Sequence, residues 1–147
     1  SVEVVDSVRT MRQVNETAGA LSDLTSRMTT IDAAARDDLF ATGRALMGRQ
    51  AQNDSLKFTI TSVARRLDSD GEATVEVMWS QTNQGAPLED HTALTLPTIP
   101  VGDSVIITQV ALDYPLLYGM IGGAPLPLEA VAVRRPRFSN EVIADLD

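Results

Sequence analysis

The chain of 147 residues contains no cysteine, one histidine and only 4% aromatic residues. The lack of cysteine excludes disulfides, cysteine-ligated zinc and a cysteine nucleophile. A single histidine excludes a zinc site built on a pair of histidines. Because aromatic residues are so few, we expect a core made mostly of Val, Leu, Ile, Met and Ala.

Long apolar runs and basic charge are also missing. The sequence has no run of eighteen apolar residues, so a transmembrane helix is not expected within it. Lys and Arg number 12 against 20 Asp and Glu, which gives a net charge of -8 and argues against nucleic-acid binding. The length and the hydrophobic content of 44% fit one domain with a sizeable core, which we place over residues 1–147.

Helical spacing dominates the start of the chain. Residues 1–30 predict a long amphipathic helix, in which Gly19 is either a tolerated exposed glycine or a point of close backbone packing. Residues 31–48 predict a second helix that begins after Thr29 or Thr30 and ends at a terminating glycine. Apolar or small side chains recur along the first helix at steps of three and four. This helix stripe comprises Val4, Ser7, Met11, Val14, Ala18, Leu21, Thr25 and Met28.

Strand periodicity replaces helical periodicity over residues 55–138. Alternating apolar side chains on both sides of the polar turn at 68–71 predict a β-hairpin. Residues 104–113 are rich in β-branched residues and predict a central strand. Residues 128–135 predict the last strand. The polar residues 139–147 predict a frayed or weakly helical tail. We therefore predict an α+β fold in which two helices pack on a mainly antiparallel sheet.

Residue patterns typical of catalysis or metal binding are weak. Asp68 and Asp70 resemble the start of a calcium loop, but its twelfth position holds Trp79 where a glutamate is needed. A turn stabilised by aspartate hydrogen bonds is therefore the better interpretation. His91 lies in a polar loop segment, without the motif that a serine nucleophile requires. We predict a protein that is not an enzyme and that uses no metal, cofactor or small-molecule substrate.

Two features outside the helix stripe suggest contacts with other proteins. The basic cluster Arg134-Arg135-Pro136-Arg137 fits either a carboxylate-rich partner or a solvated strand end paired with nearby acids. Tyr114-Pro115 and the apolar residues after it form either an exposed loop or a lid over the core. Including the helix stripe, the predicted partner-binding residues are Val4, Met11, Val14, Leu21, Met28, Tyr114, Leu116, Leu117, Arg134, Arg135 and Arg137.

The second half of the chain resembles a known family. The segment LTLPTIPVGDSVIITQVALDYPLLYGMIGG, followed by AVAVRRPR, is similar to the soluble domain of TadE/TadG-like minor pseudopilins of the bacterial tight-adherence (Flp/Tad) pilus system. The similar motifs are Gly102-Asp103 before a strand, Tyr114-Pro115 after it, and a closing strand that ends in Arg135-Pro136-Arg137. The resemblance implies a pilin-like fold, whose long N-terminal helix continues from a membrane anchor that these residues lack. The sequence starts at Ser1 without an initiator Met, so we also expect that residues upstream of Ser1 have been removed.

The same resemblance implies a function. It implies a non-enzymatic minor pilus subunit that takes part in assembly or initiation of a tight-adherence type IV pilus. Expected partners are a homologous minor pseudopilin or the major pilin, and the inner membrane through the absent helix. The expected location is the bacterial inner membrane facing the periplasm, with incorporation into the extracellular pilus left open. The alternative is an exported adhesin-like or ligand-binding module that uses the loops of residues 82–123. Subunit packing through the helix stripe requires that this stripe stay partly exposed.

Overall fold

Helices come first and strands follow, apart from one short strand between the two helices. The computed structural model describes residues 2–115 and 125–146. In chain order the elements are α1 (Val2–Ser26), β1 (Thr30–Asp32), α2 (Ala33–Met47), a short 3-10 helix (Gly48–Gln52), β2 (Lys57–Leu67), β3 (Ala73–Thr82), β4 (Ser104–Tyr114), β5 (Leu126–Arg134) and β6 (Ile143–Asp145).

The ends of α2 are set by two residues. Asp32 is the N-cap, and its side chain accepts a hydrogen bond of 2.8 Å from the backbone N–H of Ala35. Gly48 ends the helix with a φ of 57°, which favours a residue without Cβ. The predicted glycine terminator is confirmed. The cap is Asp32, and not Thr29 or Thr30, because residues 30–32 form a strand first.

Strands β2 to β5 form a four-stranded antiparallel sheet in the order β3-β2-β4-β5. The turn between β2 and β3 is closed by Asp68, whose carboxylate accepts hydrogen bonds of 2.9 Å from the N–H groups of Asp70 and Glu72. The predicted hairpin and the α+β class with an antiparallel sheet are therefore confirmed. A β-bulge interrupts the pairing of β2 with β3 at Ser62/Val63, whereas β4 and β5 pair in unbroken register.

Both faces of the sheet carry a core. On one face, α1 lies over β4 and β5, and α2 brings Phe40 against Phe58 with ring centroids 6.3 Å apart. On the other face, the loop after β3 places Ile99 over Val63 and Val105. As expected from the composition, aliphatic side chains supply most of both clusters.

The C-terminal segment is an ordered part of the core, so the prediction of a frayed or weakly helical tail is wrong. Strand β6 pairs in parallel with β1, and the Val142 side chain before it is completely buried. The indole Nε1 of Trp79 donates a hydrogen bond of 2.8 Å to the Val142 carbonyl. One buried side chain and backbone hydrogen bonds fix this segment, and neither produces a periodic pattern in the sequence.

Candidate interaction surfaces

The helix stripe serves the core of its own chain. Val14 and Leu21 are completely buried, while Met11 and Met28 are half-buried against the same core. Nothing is described of the Val4 side chain. The spacing predicted that Val14 and Leu21 contact a partner. Neither side chain is accessible to one, because the sheet and α2 of the same chain cover both. Filament packing through the stripe loses its support accordingly.

The outward face of α1 carries apolar side chains instead. Val5 is 55% exposed and Val8 is 54% exposed. Among the described side chains of α1, Thr10 is the first that is buried. Neither valine was predicted as a partner-binding residue, although Val8 lies four residues after Val4 and three before Met11. Spacing alone does not show which apolar side chains of the helix the sheet covers.

Tyr114 contributes to the fold and not to an exposed loop. Its side chain is buried at the end of β4, and its hydroxyl donates a hydrogen bond to the Asp6 carboxylate of α1. This bond ties the early turns of α1 to the sheet. The other predicted loop residues, Leu116 and Leu117, lie outside the described residues.

The arginines of the basic cluster differ in whether they pair with an acid. Arg137 pairs with Asp23 at 2.6 Å and so behaves as the predicted strand end held by a nearby acid. Arg134 donates to its neighbouring Val133 carbonyl at 2.9 Å, and Arg135 is exposed. Across residues 2–115 and 125–146, neither Arg134 nor Arg135 has a carboxylate partner. Two guanidinium groups therefore remain available to an acidic partner.

A groove of about 500 Å³ lies beside these arginines, between the loop after β3 and the end of β5. Its lining combines apolar side chains with these two arginines. The residues that line it are Thr95, Leu96, Pro97, Val105, Val133, Arg134 and Arg135. Strand β5 is the last strand of the sheet here, and its Val131 side chain is 53% exposed. We call the outer edge of β5 together with Glu129, Val131, Val133 and Arg135 the β5 edge surface.

The polar loop around His91 shows the geometry of a turn. Asp90 accepts hydrogen bonds from the Thr92 hydroxyl at 2.7 Å and from the Thr92 N–H at 3.0 Å. These bonds lower the pKa of the exposed Asp90 below its ordinary value. Within the part of the chain that the structure describes, no three acids or histidines come close enough to hold a metal ion. Of the loops 82–123 proposed as a ligand site, residues 116–123 are outside the described residues.

Comparisons with family models, with curated proteins and with solved structures find no match for this chain. The resemblance to TadE/TadG-like pseudopilins therefore stays a prediction. In the described ranges, no helix has both the length and the apolar character needed to cross a membrane.

Proposed function

We propose that this protein is a non-enzymatic minor pilus subunit of the TadE/TadG-like pseudopilin type. It acts in assembly or initiation of a tight-adherence type IV pilus through contacts with other pilus subunits. The observation that carries the proposal is the exposure of Val5 and Val8 in the first turns of α1. At 1.5 Å per residue, α1 is about 37 Å long. Its first turns therefore offer an apolar surface to a neighbouring helix.

The positions of the family-like motifs support this proposal. Gly102 has a φ of 91° and donates its N–H to the Arg65 carbonyl at 2.8 Å, so it turns the chain into β4. Tyr114 ends the same strand and holds α1 through Asp6. Gly102 thus sets the start of β4, and Tyr114 at its end helps to fix how the long helix lies on the sheet.

The proposal also assigns partners and a location. A homologous minor pseudopilin or the major pilin would pack an apolar helix against Val5 and Val8, because buried valines gain about 1.5–3 kcal/mol each over exposed ones. The inner membrane would be contacted by a helix outside these residues. The protein would then face the periplasm and could enter the extracellular pilus.

Site-specific photocrosslinking in the parent bacterium tests the proposal. A benzoylphenylalanine residue replaces Val5, Val8 or, as the control, Leu67, which is equally exposed at the far hairpin. We expect adducts with pilin-type subunits from Val5 and Val8 and none from Leu67. Electron microscopy of a strain that lacks the gene should show few or no pili. Normal piliation of that strain, together with adducts free of pilins, would rule the proposal out.

A further inference from the structure

We propose that the β5 edge surface binds a second copy of this chain, so that two four-stranded sheets join into one across a two-fold axis at Ala132. The new contact is antiparallel, β5 against β5. This self-association does not depend on the proposed pilus role. It follows from the unprotected backbone groups of the β5 edge, from the order of the side chains along β5 and from the charges at the ends of that surface.

The two edges of the sheet differ in how well they are protected. Edge strands expose unpaired backbone N–H and C=O groups, and bulges, charges or prolines usually prevent them from pairing. Strand β3 has a bulge against β2, which disturbs the regular spacing of backbone groups along this strand. Strand β5 keeps nine residues in unbroken register with β4, and its one proline, Pro127, stands near its start. The edge of β5 is therefore the one that can accept another strand.

The outward side chains of β5 are complementary to themselves. Leu128 and Ala130 are buried under α1, so Glu129, Val131 and Val133 lie on the opposite face. An antiparallel copy with Ala132 on the axis places Val131 opposite the second copy's Val133. The same register places Glu129 opposite the second copy's Arg135, and each pair occurs twice. Cross-strand valine pairs and opposite charges both stabilise such a ladder.

The charges at the ends of this ladder are unpaired in the single chain. Arg135 and Glu129 form no ion pair with any described residue. In the joined sheet each meets its counterpart across the shared edge. Two copies that each carry a net charge of -8 repel one another. Pairs of opposite charge on the shared edge oppose this repulsion and so favour association.

The position of α1 leaves this edge open. The helix covers one face of β5, where the Ser22 hydroxyl donates to the Ala132 carbonyl at 3.3 Å. Gly19 lies over the same strand, next to the Arg134 guanidinium. Backbone groups on the outer edge point sideways, in the plane of the sheet, and are not covered by a helix above that plane. A strand about 30 Å long gives a small interface, so the dimer should be weak and depend on concentration.

Sedimentation equilibrium of the purified chain, from about 5 to 500 µM, measures this association. We expect the mean mass to rise from 15.8 kDa toward twice that value as concentration increases. Glu129→Arg and Arg135→Glu each put like charges opposite one another, and each should weaken dimerisation at least about tenfold. The double variant with both exchanges should restore it.

Glu76→Arg is the matched control, since it makes the same charge change on the other edge strand, and it should leave the dimer intact. Circular dichroism confirms that each variant is folded. Val131→Lys, at an exposed position, provides a second disruption should a charge variant unfold. A mass that stays at 15.8 kDa over the whole range overturns the proposal. A dimer that tolerates Glu129→Arg, or a double variant that fails to recover, also overturns it.

Discussion

Two hydroxyl groups are buried between the helices and the sheet without a hydrogen-bond partner. The side chains of Ser62 and Thr108 are completely buried, and neither hydroxyl bonds to any described residue. By contrast, the equally buried Thr61 shares a hydrogen bond of 2.9 Å with Ser80 on the other face. A buried polar group without a partner costs about 1–3 kcal/mol, so these two sites lower the stability of the fold.

Thr108→Val should therefore stabilise the protein. Valine keeps the shape of threonine, suits a central strand and removes the unpaired hydroxyl. We expect a gain of about 1 kcal/mol, which raises Tm by roughly 3 °C in a chain of this size. Thermal unfolding followed by circular dichroism measures it. Thr61→Val is the control and should lower Tm, because it removes the hydrogen bond between Thr61 and Ser80 and leaves Ser80 with the Leu88 N–H alone. Equal shifts in both variants would show that the hydroxyl of Thr108 is not the cause.

Gly43 and Gly19 should respond oppositely to replacement by alanine. A Cβ at Gly43 would lie 2.9 Å from the Phe58 ring and 3.1 Å from Leu21, whereas at Gly19 the nearest side-chain atom is 3.5 Å away. Helix propensity favours alanine by about 1 kcal/mol at both positions. Overpacking at Gly43 costs about 1–3 kcal/mol and should exceed that gain.

Urea unfolding measures the difference: Gly43→Ala should lower the free energy of unfolding and Gly19→Ala should raise it. The same sign for both variants would contradict the packing argument. The result also decides between the two interpretations of Gly19, because close backbone packing would make its alanine variant unstable.

Among the elements, the helices and the hairpin could be predicted from the sequence, but the C-terminal strand could not. The hairpin is specified locally by alternation and by the Asp68 turn. Strand β6 has only three residues and pairs with β1, which is more than a hundred positions earlier. Its order depends on contacts such as that of Trp79 with Val142, and these exist only after the sheet has formed.

Adjacent positions in this segment provide a matched test of its role. Val142 is completely buried and Ile143 is 61% exposed. Val142→Ala should lower the free energy of unfolding by about 2 kcal/mol, while Ile143→Ala should change it by less than about 0.5 kcal/mol. Chemical denaturation followed by Trp79 fluorescence reports both values. A Val142→Ala variant as stable as the original chain would mean that the segment does not anchor the core.

At the scale of the whole molecule, net charge controls self-association more generally. The charge is -8 at pH 7 and falls to zero near pH 4.5 as carboxylates gain protons. Repulsion between molecules is then lost, so solubility should be lowest near pH 4.5 and much higher near neutral pH. Light scattering along a pH series measures this, and circular dichroism at each pH separates precipitation from unfolding. Undiminished solubility at pH 4.5 would show that charge does not keep these molecules apart.

The surroundings of the candidate surfaces could not be predicted from the sequence. The helix stripe was read correctly as an apolar face, yet which partner covers that face is not encoded in its spacing. The sheet and α2 of the same chain cover Val14 and Leu21. Likewise, three arginines near one another in sequence have different surroundings, because Arg137 reaches Asp23 and Arg135 does not reach an acid.

The sequence by itself determined the α+β class, the long first helix, the hairpin and the antiparallel strands, because periodicity and turn chemistry act over a few neighbouring residues. Only the tertiary structure decided which apolar side chains stay exposed, as at Val5, Val8 and Val131. It also decided that β5 ends the sheet without a protecting bulge. Exposure and edge position depend on contacts between residues far apart in the chain, and local patterns contain no record of those contacts.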